Sequence, residues 1–126
     1  MIVVDASVLI DVLVGEGRGV GRIADEDLNA PHLLDAEVAN VLRRRTLSGA
    51  LDAAFAARAL DDLNELQIAR YGHLELLERC WELRSNLSVY DALYVALAEA
   101  LDAPLVTLDQ GIAAVPGIRT TVEVVA

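Results

Sequence analysis

Residues 86–109 constrain the fold most, because they read as a helix running straight into a covered strand. Ser88 has the side chain of an N-cap, and Leu87, Tyr90, Tyr94, Leu97 and Leu101 recur at helical spacing. Ala103 and Pro104 stop the helix, since the residue before a proline is pushed out of helical backbone. Leu105, Val106, Thr107 and Leu108 then form a short apolar run suited to a strand covered on both faces. Asp91 falls in the helix's first turn and Asp109 directly after the strand. Both sit at element ends, where open α/β sheets build their sites.

The remaining chain supplies more units of the same kind. Ile2, Val3 and Val4 predict a buried strand ending at Asp5, with Ser7 capping a helix over 8–13 that carries Asp11 near its far end. The glycine-rich segment 15–21 follows a helix rather than a strand and lacks the G-x-G-x-x-G spacing, so it reads as a flexible joint. A short helix over 22–26 and a strand over 28–30 come next. Pro31 favours the first turn of a helix reaching about residue 45, with Leu34, Val38, Val41 and Leu42 as its apolar stripe. Glu37 projects from that apolar side and Asp35 does not. An inward carboxylate needs an arginine, hydrogen bonds or a metal. Arg43, Arg44 and Arg45 end this helix, where they either offset its dipole or meet RNA or a partner.

Residues 52–66 predict an amphipathic helix and 67–71 a third strand. Leu74, Leu77, Trp81 and Arg84 follow at helical spacing, with Trp81 expected in the core. A helical turn over 110–114 and a last strand over 120–125 complete the chain. Strands alternating with helices imply one α/β domain over 1–126, a parallel sheet sandwiched by helices.

Charge and composition narrow the chemistry. The net charge of −10 argues against a general nucleic-acid-binding surface. All ten basic residues are arginine, which excludes a Walker-type loop and any catalytic lysine. A phospho-receiver domain, which groups aspartates around a cation but needs a lysine, is disfavoured on the same ground. Cys80 is alone, so no internal disulfide forms and a reducing cytoplasm is the simplest location. His32 and His73 accompany no nucleophile or zinc motif. No apolar run is long enough to span a bilayer. In a parallel sheet Asp5 and Asp109 emerge at one carboxyl edge if their strands are neighbours, near Asp91 and the inward Glu37. Four acids meeting there repel one another unless a hard cation such as Mg²⁺ or Mn²⁺ neutralises them. Ser88 and Asp91 also match a capping box, which alone accounts for Asp91.

Val4 to Ser7, Glu37 to Asn40, Tyr90 to Ala98 and Leu105 to Asp109 resemble the successive motifs of PIN-domain ribonucleases, closest to the VapC toxins of toxin–antitoxin pairs. The resemblance implies a PIN-like three-layer α/β/α fold with a central parallel sheet of four to five strands. It implies a Mg²⁺-dependent endoribonuclease, with Mn²⁺ a possible substitute, in which Asp5, Glu37, Asp91 and Asp109 form the acidic quartet and Asp5 and Asp91 ligate the metal directly. Ser7 and Thr107 match polar positions that place a water or a carboxylate. RNA as substrate, a homodimer and inhibition by a VapB-like antitoxin are further implications. Gln110 and Gly111 follow Asp109 where relatives often carry a basic residue. The alternatives are a catalytically silent PIN-like binding module and a free-standing PIN ribonuclease of RNA processing.

Overall fold

β1 (Ile2–Val4) and β4 (Leu105–Thr107) lie side by side at the centre of the sheet, and both are fully buried. The structure is a computed structural model that describes residues 1–15 and 17–126; Glu16, inside the expected joint over 15–21, lies outside the described residues. Around the central pair stand β2 (Leu28–Pro31), β3 (Ile68–Tyr71) and β5 (Val122–Val124). Among the described residues the sheet has five strands in the order β3-β2-β1-β4-β5, and every pairing is parallel. Continuous apolar composition follows from this placement, since a central parallel strand has no solvent face.

The strand order reverses after β3, and the helices divide accordingly. α1 (Ala6–Val14), α3 (Leu33–Leu47) and α4 (Ala53–Glu65) pack on one another, while α6 (Val89–Leu101) lies on β1, β2 and β4 with α5 (Leu77–Glu82) against it. The result is the expected three-layer α/β/α arrangement. α2 (Val20–Ile23) and α7 (Gln110–Ala113) are single turns. Residues 92–98 of α6 are all buried, so this helix is enclosed nearly all round rather than along one stripe. Ser88 caps it as expected, its hydroxyl accepting from the Asp91 N–H. Among the described residues no helix is long and apolar enough to cross a membrane.

The short helix expected over 22–26 lies earlier, at Val20–Ile23, and local expectations also fail at Pro31, Ser7 and Trp81. Pro31 is the last residue of β2, paired with Tyr71, and α3 starts at Leu33; a strand end tolerates a residue without an N–H. Ser7 is inside α1 instead of capping it, because Asp5 holds the N-cap position and α1 begins at Ala6. Trp81 is 64% exposed. The chain enters α5 through a 3-10 turn over Leu74–Leu76, which breaks the helical phase and turns Cys80 and Leu83 inward, leaving Leu74, Leu77 and Trp81 outside. Arg84 then covers the Trp81 ring, 4.8 Å from its centre.

Candidate active site

Parallel pairing aligns the ends of β1 and β4, because Val4 is registered with Val106 and the Asp5 N–H donates to the Val106 carbonyl at 3.0 Å. Asp5 and Thr107 therefore leave the sheet together. The Thr107 hydroxyl, fully buried, donates to Asp5 Oδ2 at 2.6 Å and accepts from the Asp109 N–H at 3.0 Å. Ser7 reaches the same carboxylate oxygen from the first turn of α1, donating at 2.9 Å, and accepts from the Leu108 N–H at 3.1 Å. Two hydroxyls thus hold Asp5 through Oδ2 alone, and Oδ1 carries neither bond. Fixing one oxygen sets the rotamer and leaves the other for a ligand.

Glu37 and Asp91 approach from the helices that start at the same edge. Glu37 is half-buried on α3, and Tyr94 of α6 donates its phenolic O–H to Glu37 Oε1 at 2.5 Å. This hydrogen bond, from a tyrosine, supplies one partner for the inward carboxylate. Burial pushes the Glu37 carboxyl above its ordinary range, the Tyr94 bond opposes this, and the charges of Asp5 and Asp91 push it further. Burial likewise raises the Asp91 carboxyl, with Asp5 and Asp109 adding to the rise and Ser88 opposing it. Tyr94 is driven far up by burial and by its bond to Glu37, so its phenol keeps its proton. Asp109 is exposed at the start of α7, where its Oδ1 accepts from the Gly111 N–H at 2.8 Å. A side chain at position 111 would stand 3.0 Å from that oxygen, so glycine suits the turn.

The charges of Asp5 and Asp91 thus reach Glu37, and those of Asp5 and Asp109 reach Asp91, at one edge of the sheet. Among the described residues no three of these acids stand close enough to form a ready coordination cage. Their chemistry nonetheless fits a hard cation: every donor is a carboxylate oxygen, and the like charges raise Glu37 and Asp91. Mg²⁺ keeps most of its water and takes one or two carboxylates directly, so it does not require three acids in contact.

The roles of two residues near this edge are not written in the sequence. Tyr94 belongs by spacing to an apolar stripe and lies inside the motif over residues 90–98, but neither carries a sign of the hydroxyl's task. Asp11, noted near the end of α1, is 1% exposed. The signal for it was a carboxylate directly after Val8, Leu9 and Ile10, all of them buried.

Residues 2–118 match the PIN domain family. The chain is 47% identical over 128 residues to Ribonuclease VapC1 of Mycobacterium tuberculosis, spanning 98% of this chain and 96% of that one. The chain is a PIN domain of the VapC ribonuclease family. This PIN domain is also 50% identical over 109 residues to Ribonuclease VapC9 of the same organism, covering 86% of each. Its fold is shared with VapBC2 of Rickettsia felis, solved bound to a DNA fragment from the promoter of the pair, with a TM-score of 0.74 over all of both chains at 14% identity.

Proposed function

We propose that this PIN domain is a Mg²⁺-dependent endoribonuclease and the toxin of a toxin–antitoxin pair, working in the cytoplasm. VapC ribonucleases are in general metal-dependent. The observation that carries the reading is Asp5: a buried carboxylate pinned by Ser7 and Thr107 through one oxygen, facing two further acids that its charge disturbs.

Asp5 and Asp91 would hold the cation, with Asp109 and Glu37 as the further acids of the site. A bound divalent ion supplies charge neutralisation at the phosphoryl group under attack. Glu37, its proton affinity raised by burial, orients the attacking water and accepts a proton from it. Tyr94 keeps Glu37 in place and remains a donor throughout, since its phenol does not ionise in the working range. Ser7 and Thr107 touch Asp5, not the substrate, so they are positioning residues. Hydrolysis leaves a 5′-phosphate and a 3′-hydroxyl. A VapB-like antitoxin silences the enzyme, which assembles as a homodimer.

The test is cleavage of a quenched oligoribonucleotide by the purified chain. Cleavage that requires Mg²⁺ or Mn²⁺ and stops with EDTA is the expected result; no metal-dependent cleavage of any RNA overturns the reading. Expression should arrest growth unless the antitoxin is co-expressed, and normal growth with active enzyme would remove the toxin role. Tyr94→Phe should lower the rate about tenfold to a hundredfold, as expected for losing a hydrogen bond to a charged group worth ~1.5–3 kcal/mol. Because that bond opposes the rise in Glu37, its loss moves the acid limb of the rate profile to higher pH.

Stability should report the same cluster. Glu37 and Asp91 titrate above their unfolded values, so their ionised forms disfavour the folded state. That penalty is absent below the unfolded carboxylate range, near pH ~4, and grows as pH rises through the raised folded values. In EDTA, Asp91→Asn should therefore raise Tm at neutral pH and change it little at pH 4. Mg²⁺ at a hundred times its Kd contributes about 2.7 kcal/mol, a Tm rise of roughly 10 °C at neutral pH, and less in acid where protons compete. A Tm rise with Mg²⁺ that is the same at both pH values would contradict binding by these two acids.

A further inference from the structure

A negatively charged protein that cuts a polyanion needs local cations beside its acids. Of the arginines, Arg22 is held by Glu26 and Glu123, Arg70 by Asp35, and Arg79 by Glu82 and Glu99. Those charges are spent within the fold. A cavity of about 690 Å³ lies next to the acid edge, with Ser7, Leu108 and Asp109 at its margin and Arg18, Arg44 and Arg45 also lining it. Arg44 is exposed at the last turn of α3, and among the described residues it meets no carboxylate. Arg18 is about half exposed, and its Nε stands 3.6 Å from Asp11 Oδ1, too far for a hydrogen bond.

Asp11 explains why Arg18 is there. Its carboxylate is buried in α1, and Oδ2 accepts the Gly19 N–H at 2.6 Å. Gly19 comes so close to α1 that a β-carbon would stand 2.9 Å from Val8 Cγ1 and 3.2 Å from Asp11 Oδ2. The bond fixes the backbone one residue beyond Arg18. Asp11 Oδ1 has no hydrogen-bond partner among the described residues, so its charge is directed at Arg18 without being satisfied by it. The guanidinium is thereby kept at the cavity while its donors stay available.

We propose that Arg18, anchored by Asp11, and Arg44 form a phosphate-binding subsite that seats a backbone phosphate of the RNA away from the bond being cut. The inference rests on the ribonuclease reading and deepens it. Planar guanidinium donors match phosphate oxygens, and a cavity that opens onto Ser7 and Asp109 lets a strand held there continue across the acids. The subsite gives the strand its register without reading bases.

The experiment compares Arg18→Ala, Arg44→Ala, the double variant, Arg44→Lys and the control Arg58→Ala, whose side chain lies over Phe55 outside this cavity. Steady-state cleavage of the quenched oligoribonucleotide is measured over a salt series, with melting curves to show that each variant is folded. Each alanine should raise KM about five- to tenfold with kcat within twofold, and the double variant should multiply the two effects. For a single strand the slope of log KM against log salt should shrink by about 0.7 for each lost phosphate contact. Arg44→Lys should restore the salt slope, because the charge is kept, but only part of the affinity, because the planar fork is lost, and Arg58→Ala should behave as wild type. KM and salt slope unchanged in the double variant, while the wild-type chain cleaves, overturn the subsite and leave the ribonuclease reading standing. Unchanged KM with loss of inhibition by the antitoxin makes the cavity a protein contact and equally overturns it. A wild-type chain that cleaves no RNA overturns both.

Discussion

Asp5→Asn should lower the cleavage rate by about a thousandfold or more and leave Tm unchanged or higher. The loss corresponds to ~4 kcal/mol of transition-state stabilisation, the scale of removing one preorganised electrostatic group from an active site. The fold should not notice. An asparagine carbonyl can accept from both Ser7 and Thr107 as Oδ2 does, at 2.9 and 2.6 Å in the native chain, so the pins remain. The gain comes from charge. Asp5 is one of the groups that raise Glu37 and Asp91, and neutralising it should bring both carboxyls down toward their ordinary range. Carboxyl-carbon NMR titration of Glu37 and Asp91 reads that change directly, beside the rate and the melting curve. A variant that cuts at the wild-type rate would remove Asp5 from the chemistry. Lower carboxyl values with unchanged rate would show that the acids interact without serving catalysis.

The sequence was readable wherever burial is written as composition. β1 and β4 lie inside a parallel sheet, so a short, mostly apolar run followed by an aspartate marks each strand and its carboxyl end. Ser88 and Asp91 were legible because a capping pattern is local. What could not be read depends on partners distant along the chain. Tyr94 occupies an apolar position by spacing, and its role is apparent only when α3 brings Glu37 to its hydroxyl. Trp81 lies outside the core because the chain spends Leu74–Leu76 on a 3-10 turn, which shifts the phase that continuous helical spacing implies. Pro31 has the right residue type for a helix start, but pairing with Tyr71 in the sheet outweighs that preference. The arginine triplet over 43–45 could not be assigned from sequence, since nothing local says that Arg18 will meet Arg44 at one cavity. Asp5, Asp91 and Asp109 are candidates because they stand at element ends, and Glu37 because it projects inward; Ser7 and Thr107 enter only through the family resemblance, and pairing of the strands shows that they hold one oxygen of Asp5.

Thr107→Val should be the costliest change outside the acids, losing about 2–4 kcal/mol of stability and about tenfold to a hundredfold in rate. Valine fills the same space, so no cavity term enters, and the cost is polar. The Asp109 N–H loses its acceptor and Asp5 Oδ2 keeps only Ser7. A buried polar group left without a partner costs about 1–3 kcal/mol, and a hydrogen bond to a charged group lies at the upper end of the usual range. Thr107→Ser separates the two contributions, because it keeps the hydroxyl and removes only a methyl group, worth about 1 kcal/mol in a packed interior. Urea denaturation with unchanged m gives the stability difference, and kcat on the oligoribonucleotide gives the catalytic one. If the hydroxyl sets the direction of Asp5, serine restores kcat nearly to wild type even while some stability remains lost. If valine loses stability and keeps kcat, Ser7 alone suffices to aim Asp5, and Thr107 acts only as a support joining the ends of β1 and β4.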